Sequence, residues 1–153
     1  MTKRNRKLKI IGRIESIDFP EWDLRDIDAK VDTGAYTSSL HCHHIQLYEE
    51  NDKEYVKFNL LDPSHETYND ILFKWPIFRK KTIKSSNGLR EERFIVKTKV
   101  KIFDSIFTAQ LSLTDRSEMR YPVLLGRKLL TNRFLVDVSQ KYTTKIQAQE
   151  TTK

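Results

Sequence analysis

The sequence has only one cysteine, Cys42, among its 153 residues, so no disulfide can form within the chain. A reducing environment fits this composition, and we expect a cytoplasmic protein. No apolar stretch approaches the roughly 18 residues of a membrane-spanning helix. The basic start is not followed by an apolar run of about 7–15 residues, so neither a signal peptide nor a membrane partner is expected.

Glycine and proline are scarce as well, with four of each, whereas β-branched and aromatic residues are frequent. This balance favours strands over helices. Alternating apolar residues and turn signals predict about eight strands, and residues 127–131 predict one short helical turn. We therefore predict a mostly β fold in the form of a closed or sandwiched barrel. The predicted strands cover 8–17, 27–31, 38–48, 55–61, 92–103, 106–113, 121–125 and 134–138, while 62–84 stay unassigned.

The length suits one domain, which we place at 8–138, between a disordered basic lead at 1–7 and a polar, flexible tail at 139–153. The charge is unbalanced: 28 Lys and Arg face 21 Asp and Glu, a net charge of +7. Such a balance favours an acidic partner, such as an acidic peptide, nucleic acid or an anionic membrane, although a merely solvated Lys-rich surface is equally compatible. A nucleic acid partner rests only on the basic lead, and we do not expect one.

The segment Val31-Asp32-Thr33-Gly34 carries the chemistry. It follows a half-buried predicted strand at 27–31, whose apolar residues recur with period two. A carboxylate at the end of a strand can act as general acid or base toward water. The threonine can hydrogen-bond across a symmetry axis, and the glycine permits a tight turn and close approach of a substrate chain. Alone, however, the tripeptide is explained equally well by a hairpin turn.

About ninety residues later comes Leu124-Leu125-Gly126-Arg127, followed by a second apolar pair. Together the two motifs resemble the retropepsin-like aspartic proteases. More closely, the chain resembles a bacterial family named as ATP-dependent zinc proteases and associated with the RimK glutamate ligase. The matching stretches occur in order over about residues 10–138, at 30–41, 85–93, 113–130 and 134–137.

The resemblance implies an aspartic endopeptidase that works as a homodimer. Such enzymes use two carboxylates that share one proton, because two close like charges cannot both ionise. One Asp-Thr-Gly per chain then requires a two-fold axis that brings two copies together. The implied substrate is a peptide, with an acidic or glutamate-extended one as a candidate, and the implied partner is an ATP-grasp glutamate ligase. The implied site comprises Asp32 as the catalytic residue, Thr33, Gly34 and Ala35 as substrate-binding and loop-shaping residues, and Gly126 and Arg127 as supporting residues.

One feature departs from the viral retropepsins. Those proteins follow the catalytic loop with acidic residues that pair with the downstream arginine, whereas Tyr36-Thr37 stands here. Arg127 therefore needs another partner, for which Asp28 and Asp115 are candidates. The family also implies a flap over the site, and the turn signal Asn87-Gly88 is a candidate for its tip.

The name of the family raises the question of zinc. His41 and His43 would point the same way in a strand, with His65 or a carboxylate as a third ligand. However, the sequence has no His-Glu-x-x-His, no Cys-x-x-Cys and no phosphate-binding loop, so we predict no metal and no cofactor. A zinc-dependent peptidase that uses the region of His41 and His43 is one alternative. A non-catalytic peptide-binding module of the same fold is another.

Overall fold

The structure, a computed structural model, describes residues 8–61, 71–84, 87–115 and 120–145. The predicted basic lead, His65 and the end of the predicted tail lie outside these residues. Within them, a 3-10 helix covers Pro20–Trp22, a short α-helix, α1, covers Arg127–Leu130, and residues 143–145 are also helical. No helix in the described part of the chain is long and apolar enough to cross a membrane. The strands are β1 (Lys9–Ile11), β2 (Ile14–Phe19), β3 (Leu24–Val31), β4 (Ser38–Glu50), β5 (Lys53–Leu60), β6 (Leu72–Pro76), β7 (Arg79–Lys84), β8 (Arg90–Ile102), β9 (Ser105–Thr114), β10 (Val123–Leu125) and β11 (Phe134–Val136).

Strand β10 closes the main sheet into a ring. Val123 faces Ala29 of β3 in a parallel pairing and Leu40 of β4 in an antiparallel one. The ring runs β10-β3-β2-β8-β9-β4 and back to β10, while β5 and β6 continue from β4 and β7 pairs with β8. The predicted mostly β fold is confirmed, with the predicted short helix at Arg127–Leu130.

Alternation of burial explains why these segments form strands around a core. In β8, for example, Val96 and Val100 are buried, whereas Lys97 and Lys99 between them are exposed. Such period-two burial is what a sheet with one apolar face requires. Aromatic rings seal one side of the core, with Trp22 at the centre of contacts to Phe19, Phe58, Phe73 and Trp75.

The strand predicted at 8–17 is interrupted after three residues. At Gly12, an added Cβ would lie 2.5 Å from the backbone oxygen of Gln140. Arg13 N–H donates to that same oxygen at 2.8 Å. The chain therefore leaves its pairing with β11 here and enters a new one with β3, which gives β1 and β2 as separate strands.

Residues 139–145, which the sequence predicts as the start of a flexible tail, lie against β2. The fully buried carboxylate of Glu15 accepts hydrogen bonds from the backbone N–H groups of Gly12 (2.7 Å), Thr143 (3.2 Å) and Thr144 (3.1 Å). The hydroxyls of both threonines donate to it as well. Five donors around one carboxylate join this segment to the domain.

Candidate active site

Asp32 lies where β3 ends and the chain turns sharply. Its backbone N–H donates to the carbonyl of Leu125 at 2.9 Å, which ties the loop to β10. Its Oδ1 accepts the N–H of Gly34 at 3.0 Å, and its carbonyl accepts the N–H of Ala35 at 3.2 Å. The side chain of Asp32 is half-buried, whereas Thr33 and Gly34 are exposed. The loop thus presents an oriented carboxylate at the surface of the ring.

Gly126 supports this loop from beneath. Its N–H donates to Ser38 Oγ at 2.9 Å, and an added Cβ would lie 2.7 Å from the backbone oxygen of Tyr36. The first two N–H groups of α1 then bind the loop: Arg127 N–H donates to the carbonyl of Ala35 at 2.8 Å, and the next residue donates to that of Tyr36 at 2.9 Å. The approach is so close that only a residue without a side chain fits.

The guanidinium of Arg127 also contacts the loop that carries Asp32. It donates from Nη1 to the carbonyl of Thr33 at 2.9 Å and lies 5.7 Å from the ring centroid of Tyr36. A backbone carbonyl and an aromatic face therefore take the place of the expected acidic partner. The Nζ of Lys128 lies 5.9 Å from the centroid of the same Tyr36 ring.

The two carboxylates considered as partners of Arg127 bind elsewhere. Asp28 accepts a hydrogen bond from the hydroxyl of Tyr142 at 3.0 Å. Asp115 lies beside His43, with 3.2 Å between Oδ1 and Nδ1. Neither carboxylate forms an ion pair with Arg127 among the described residues, so both candidate pairings were wrong.

A cleft of about 270 Å³ opens beside Asp32. The hairpin of β7 and β8 forms its far wall through Lys81, Ile83 and Arg93. Asn87 and Gly88 belong to the connection of this hairpin, and Gly88 has the positive φ of +84° that the turn signal predicts. A hairpin therefore faces the candidate catalytic residue, as a flap would.

The cleft is basic. Asp32 is the only carboxylate among its described lining residues, against Lys81 and Arg93. These two cations are direct partners in the β7–β8 register, so their side chains lie on the same face. Arg93 is largely buried, with Nη2 3.6 Å from an oxygen of Glu91, and its Nε has no hydrogen-bond partner among the described residues. Two cations against one carboxylate give the cleft a net positive charge, which favours an anionic ligand.

Sequence reasoning missed these cations. Lys81 lies in the stretch that stayed unassigned, because prolines interrupt its pattern. The run of four cations within 79–84 was the available signal, but it did not show which of them face inward. Which of these side chains face inward depends on how β7 pairs with β8, and the hairpin sets the register of that pairing.

The histidine-rich part of β4 forms a separate cluster. One potential ligand atom each from His41, His43 and Asp115 lies within 4.8 Å of the other two. Two imidazoles and a carboxylate are donors that zinc accepts, but tetrahedral ligands at about 2.05 Å from the ion lie only about 3.3 Å apart. The donor types therefore fit zinc, whereas their spacing would have to contract. None of the three is among the described residues that line the cleft at Asp32.

Cys42, between these histidines, points into the core and is fully buried. Burial raises the pKa of its thiol far above the ordinary value. The thiolate that a metal ligand or nucleophile needs is thereby disfavoured.

A protein family described as "Retropepsin-like aspartic endopeptidase RimB" matches residues 10–147. A probable alpha-L-glutamate ligase of Desulfotalea psychrophila is 34% identical over 129 residues, which are 84% of this chain and 28% of that protein. A probable alpha-L-glutamate ligase of Shewanella pealeana is 32% identical over 133 residues, 87% of this chain and 29% of that protein. The chain thus spans less than a third of the length of these relatives.

A solved structure has a similar fold. The crystal structure of protein Lpg0085 of Legionella pneumophila, of unknown function, superposes with a TM-score of 0.72 and 27% sequence identity. The alignment covers 90% of this chain and 99% of that one. The resemblance read from the sequence motifs is confirmed.

Proposed function

Since the chain belongs to the RimB-like family of retropepsin-like aspartic endopeptidases, we propose that it is a peptidase with Asp32 as its catalytic carboxylate. The observation that carries this proposal is the position of Asp32. It lies half-buried at a cleft, on a loop fixed by the carbonyl of Leu125 and by the start of α1. Fixed geometry of this kind is what positions a general acid or base against a reacting bond.

The second carboxylate comes from a second copy of the chain. The aspartic mechanism needs two, and Asp32 is the only one among the described residues of the cleft. A two-fold axis next to the exposed Thr33-Gly34 would place the two copies of Asp32 together. The pair would then exchange protons as one unit rather than as two independent acids.

The reaction proceeds in two steps. The ionised Asp32 removes a proton from water, whose oxygen attacks the scissile carbonyl carbon, while the protonated Asp32 of the second copy donates its proton to the carbonyl oxygen. The tetrahedral intermediate then collapses: the protonated Asp32 donates its proton to the amide nitrogen, the carboxylate of the second copy takes a proton from a hydroxyl of the intermediate, the C–N bond breaks, and a carboxylic acid and an amine leave. The pair returns to one shared proton.

Five further residues hold this geometry in the proposal. The N–H of Gly34 orients the carboxylate of Asp32, and Gly126 and Arg127 hold the loop from below. The exposed Thr33 serves the contact between the two copies. Ala35, which also lines the cleft, is left to contact the substrate backbone.

An acidic peptide is the substrate class that the cleft supports. Lys81 and Arg93 place two cations opposite the scissile position, and charged acceptors bind such groups more strongly than neutral ones. The relatives that share this segment are named probable alpha-L-glutamate ligases. We therefore infer that the protein acts in the cytoplasm on glutamate-containing peptides, together with an ATP-grasp glutamate ligase.

The test compares wild type with Asp32→Asn on a mixed peptide library that includes glutamate-tailed peptides, read by mass spectrometry over pH 4–8. Asp104→Asn, at the exposed turn between β8 and β9, is the matched control. We expect cleavage that Asp32→Asn abolishes and Asp104→Asn retains. Equal cleavage by all three proteins would refute the assignment. Binding of peptides without any cleavage would favour the non-catalytic module.

The cluster of His41, His43 and Asp115 supports a zinc-dependent peptidase as a second candidate. The same assay with and without a zinc chelator separates the two. A zinc enzyme would lose cleavage with the chelator and keep it in Asp32→Asn. An aspartic enzyme would behave in the opposite way.

A further inference from the structure

A second cavity, of about 370 Å³, lies next to the catalytic loop. It is larger than the cleft at Asp32 and is lined by Val31, the residue before Asp32. Leu124 of β10 lines both spaces, so they are neighbours that meet at this residue. A chain that occupies the cleft can therefore extend into this cavity.

The strand register places both spaces on one face of the sheet. Ile14 faces Lys30, Lys30 faces Leu124, and Leu124 faces Ser39. Directly opposed residues in neighbouring strands point to the same face. The row continues from Ser39 through Ser112 to β8, and both of these serines line the cleft at Asp32. The cavity and the cleft are thus two parts of one groove.

Three cations surround the cavity. Arg13, Lys30 and Arg120 line it, all three are exposed, and no acidic residue is among its described lining residues. Arg13 is held by a hydrogen bond from Nη1 to the carbonyl of Val138 at 3.1 Å. Arg120 lies against the ring of Tyr121, 5.7 Å from its centroid. Within the described chain, none of the three cations forms an ion pair with a carboxylate.

The walls of the cavity are apolar. Ile14 and Leu124 contribute to them, and both lie on the same face of the sheet as Lys30. A ligand that fits both the walls and the cations has an aliphatic stem that ends in a negative charge. Glutamate has this form, with two methylene groups before its carboxylate, whereas aspartate is one methylene shorter and glutamine is uncharged.

We propose that this cavity is a specificity pocket that binds a glutamate side chain of the substrate next to the scissile bond. Lys30 and Arg120 bind the carboxylate, and the row of Ile14 and Leu124 contacts the stem. This inference rests on the proposed function, because it assumes that the peptide lies along the groove at Asp32. It adds which side chain the site selects and which residues select it.

The test uses peptides that differ only in one residue beside the cleaved bond, glutamate, aspartate or glutamine, and compares their kcat/KM values. For wild type we expect glutamate to exceed glutamine by about 10- to 100-fold, because a charged hydrogen bond is lost. The double variant Lys30→Gln, Arg120→Gln should bring this ratio close to one. Lys101→Gln, an exposed lysine of β8 that lines neither space, is the control for charge alone and should keep the wild-type ratio.

A second measurement does not depend on catalysis. Labelled hexaglutamate and hexaglutamine are titrated against Asp32→Asn, with and without the two pocket substitutions, and followed by fluorescence anisotropy. Preference for hexaglutamate that the pocket substitutions remove supports the inference, even where wild type cleaves nothing and the proposed function fails. If wild type cleaves but its glutamate preference survives both pocket substitutions, the inference is overturned and the peptidase stands. Equal binding of both peptides would overturn it as well.

Discussion

Replacing Gly126 by alanine tests whether the catalytic loop depends on its support from β10. The added Cβ would lie 2.7 Å from the carbonyl oxygen of Tyr36 and 2.9 Å from that of Ala35. Both atoms belong to the backbone of the catalytic loop, so no flexible side chain can yield. Gly126 itself has φ near −94°, which any residue adopts, so the expected effect is purely steric.

The size of the effect follows from these distances. An ordinary van der Waals contact begins near 3.4 Å, so the loop must retreat by about 0.7 Å. That movement strains two hydrogen bonds from α1 to the loop, each worth about 1 kcal/mol, and overpacking adds about 1–3 kcal/mol. If each hydrogen bond loses about half of its contribution, the total loss is roughly 2–4 kcal/mol in unfolding free energy. Because misplacement by about 1 Å costs about 100-fold in rate, kcat/KM should fall by one to two orders of magnitude.

The assay combines urea unfolding with peptide cleavage at a temperature where the variant is folded. Gly12→Ala is the matched control, because its Cβ would meet backbone at 2.5 Å, but at Gln140 rather than at the catalytic loop. It should lose comparable stability while losing less activity. Cleavage by Gly126→Ala within twofold of wild type would refute the argument that this contact positions Asp32.

Three further predictions concern buried and terminal groups. Glu15→Gln should destabilise the fold by about 3–5 kcal/mol in urea unfolding, because the new amide NH2 would face N–H and O–H donors. Unchanged stability would refute the arrangement of five donors around this carboxylate. Hydrogen bonds from Ser139, through its side chain and then its backbone, and from Gln140 lower the pKa of Asp137 below 3.8. The ionised Asp137 therefore stabilises the fold fully above the unfolded-state pKa, and this effect is lost as the pH falls through the lowered folded-state pKa. Asp137→Asn should thus be less stable than wild type in urea unfolding at pH 7 and equal to it in strong acid. Burial raises the pKa of the Cys42 thiol, so iodoacetamide at pH 8 should label it in urea and not in the native protein, as mass spectrometry would show.

Local patterns predicted the parts of the fold whose causes are local. The alternation before Asp32 predicted residues 27–31 of β3, which begins at Leu24, and the Gly126-Arg127 motif predicted α1 to within one residue of its observed end. The break between β1 and β2 could not be predicted, because it is caused by Gln140, far away in sequence. For the same reason the sequence did not show that Glu15 is buried by a segment that reads as a polar tail.

The site was predicted unevenly for a similar reason. The loop residues lie together in sequence and were found together, whereas the cations of the groove come from separate strands. Lys81 and Arg93 meet only through the register of one hairpin. Arg13 and Arg120 line the same cavity only because β10 lies beside β3, which in turn lies beside β2. Composition gave the net charge of +7 but not the face on which it would gather.

The charge of the groove also helps to distinguish a peptidase from a module that only binds peptides. A substrate carboxylate about 6 Å from an ionised Asp32 would be repelled by roughly 0.7 kcal/mol in water and about 3 kcal/mol at an effective dielectric constant of 20. A module that only bound acidic peptides would bind more tightly with a neutral residue at position 32. Cations on both sides of Asp32, in the cleft and in the neighbouring cavity, offset this repulsion and allow the carboxylate to remain where an acidic substrate lies. An aspartate at the centre of a basic groove is what the proposed peptidase requires, whereas a module that only bound acidic peptides would not need it.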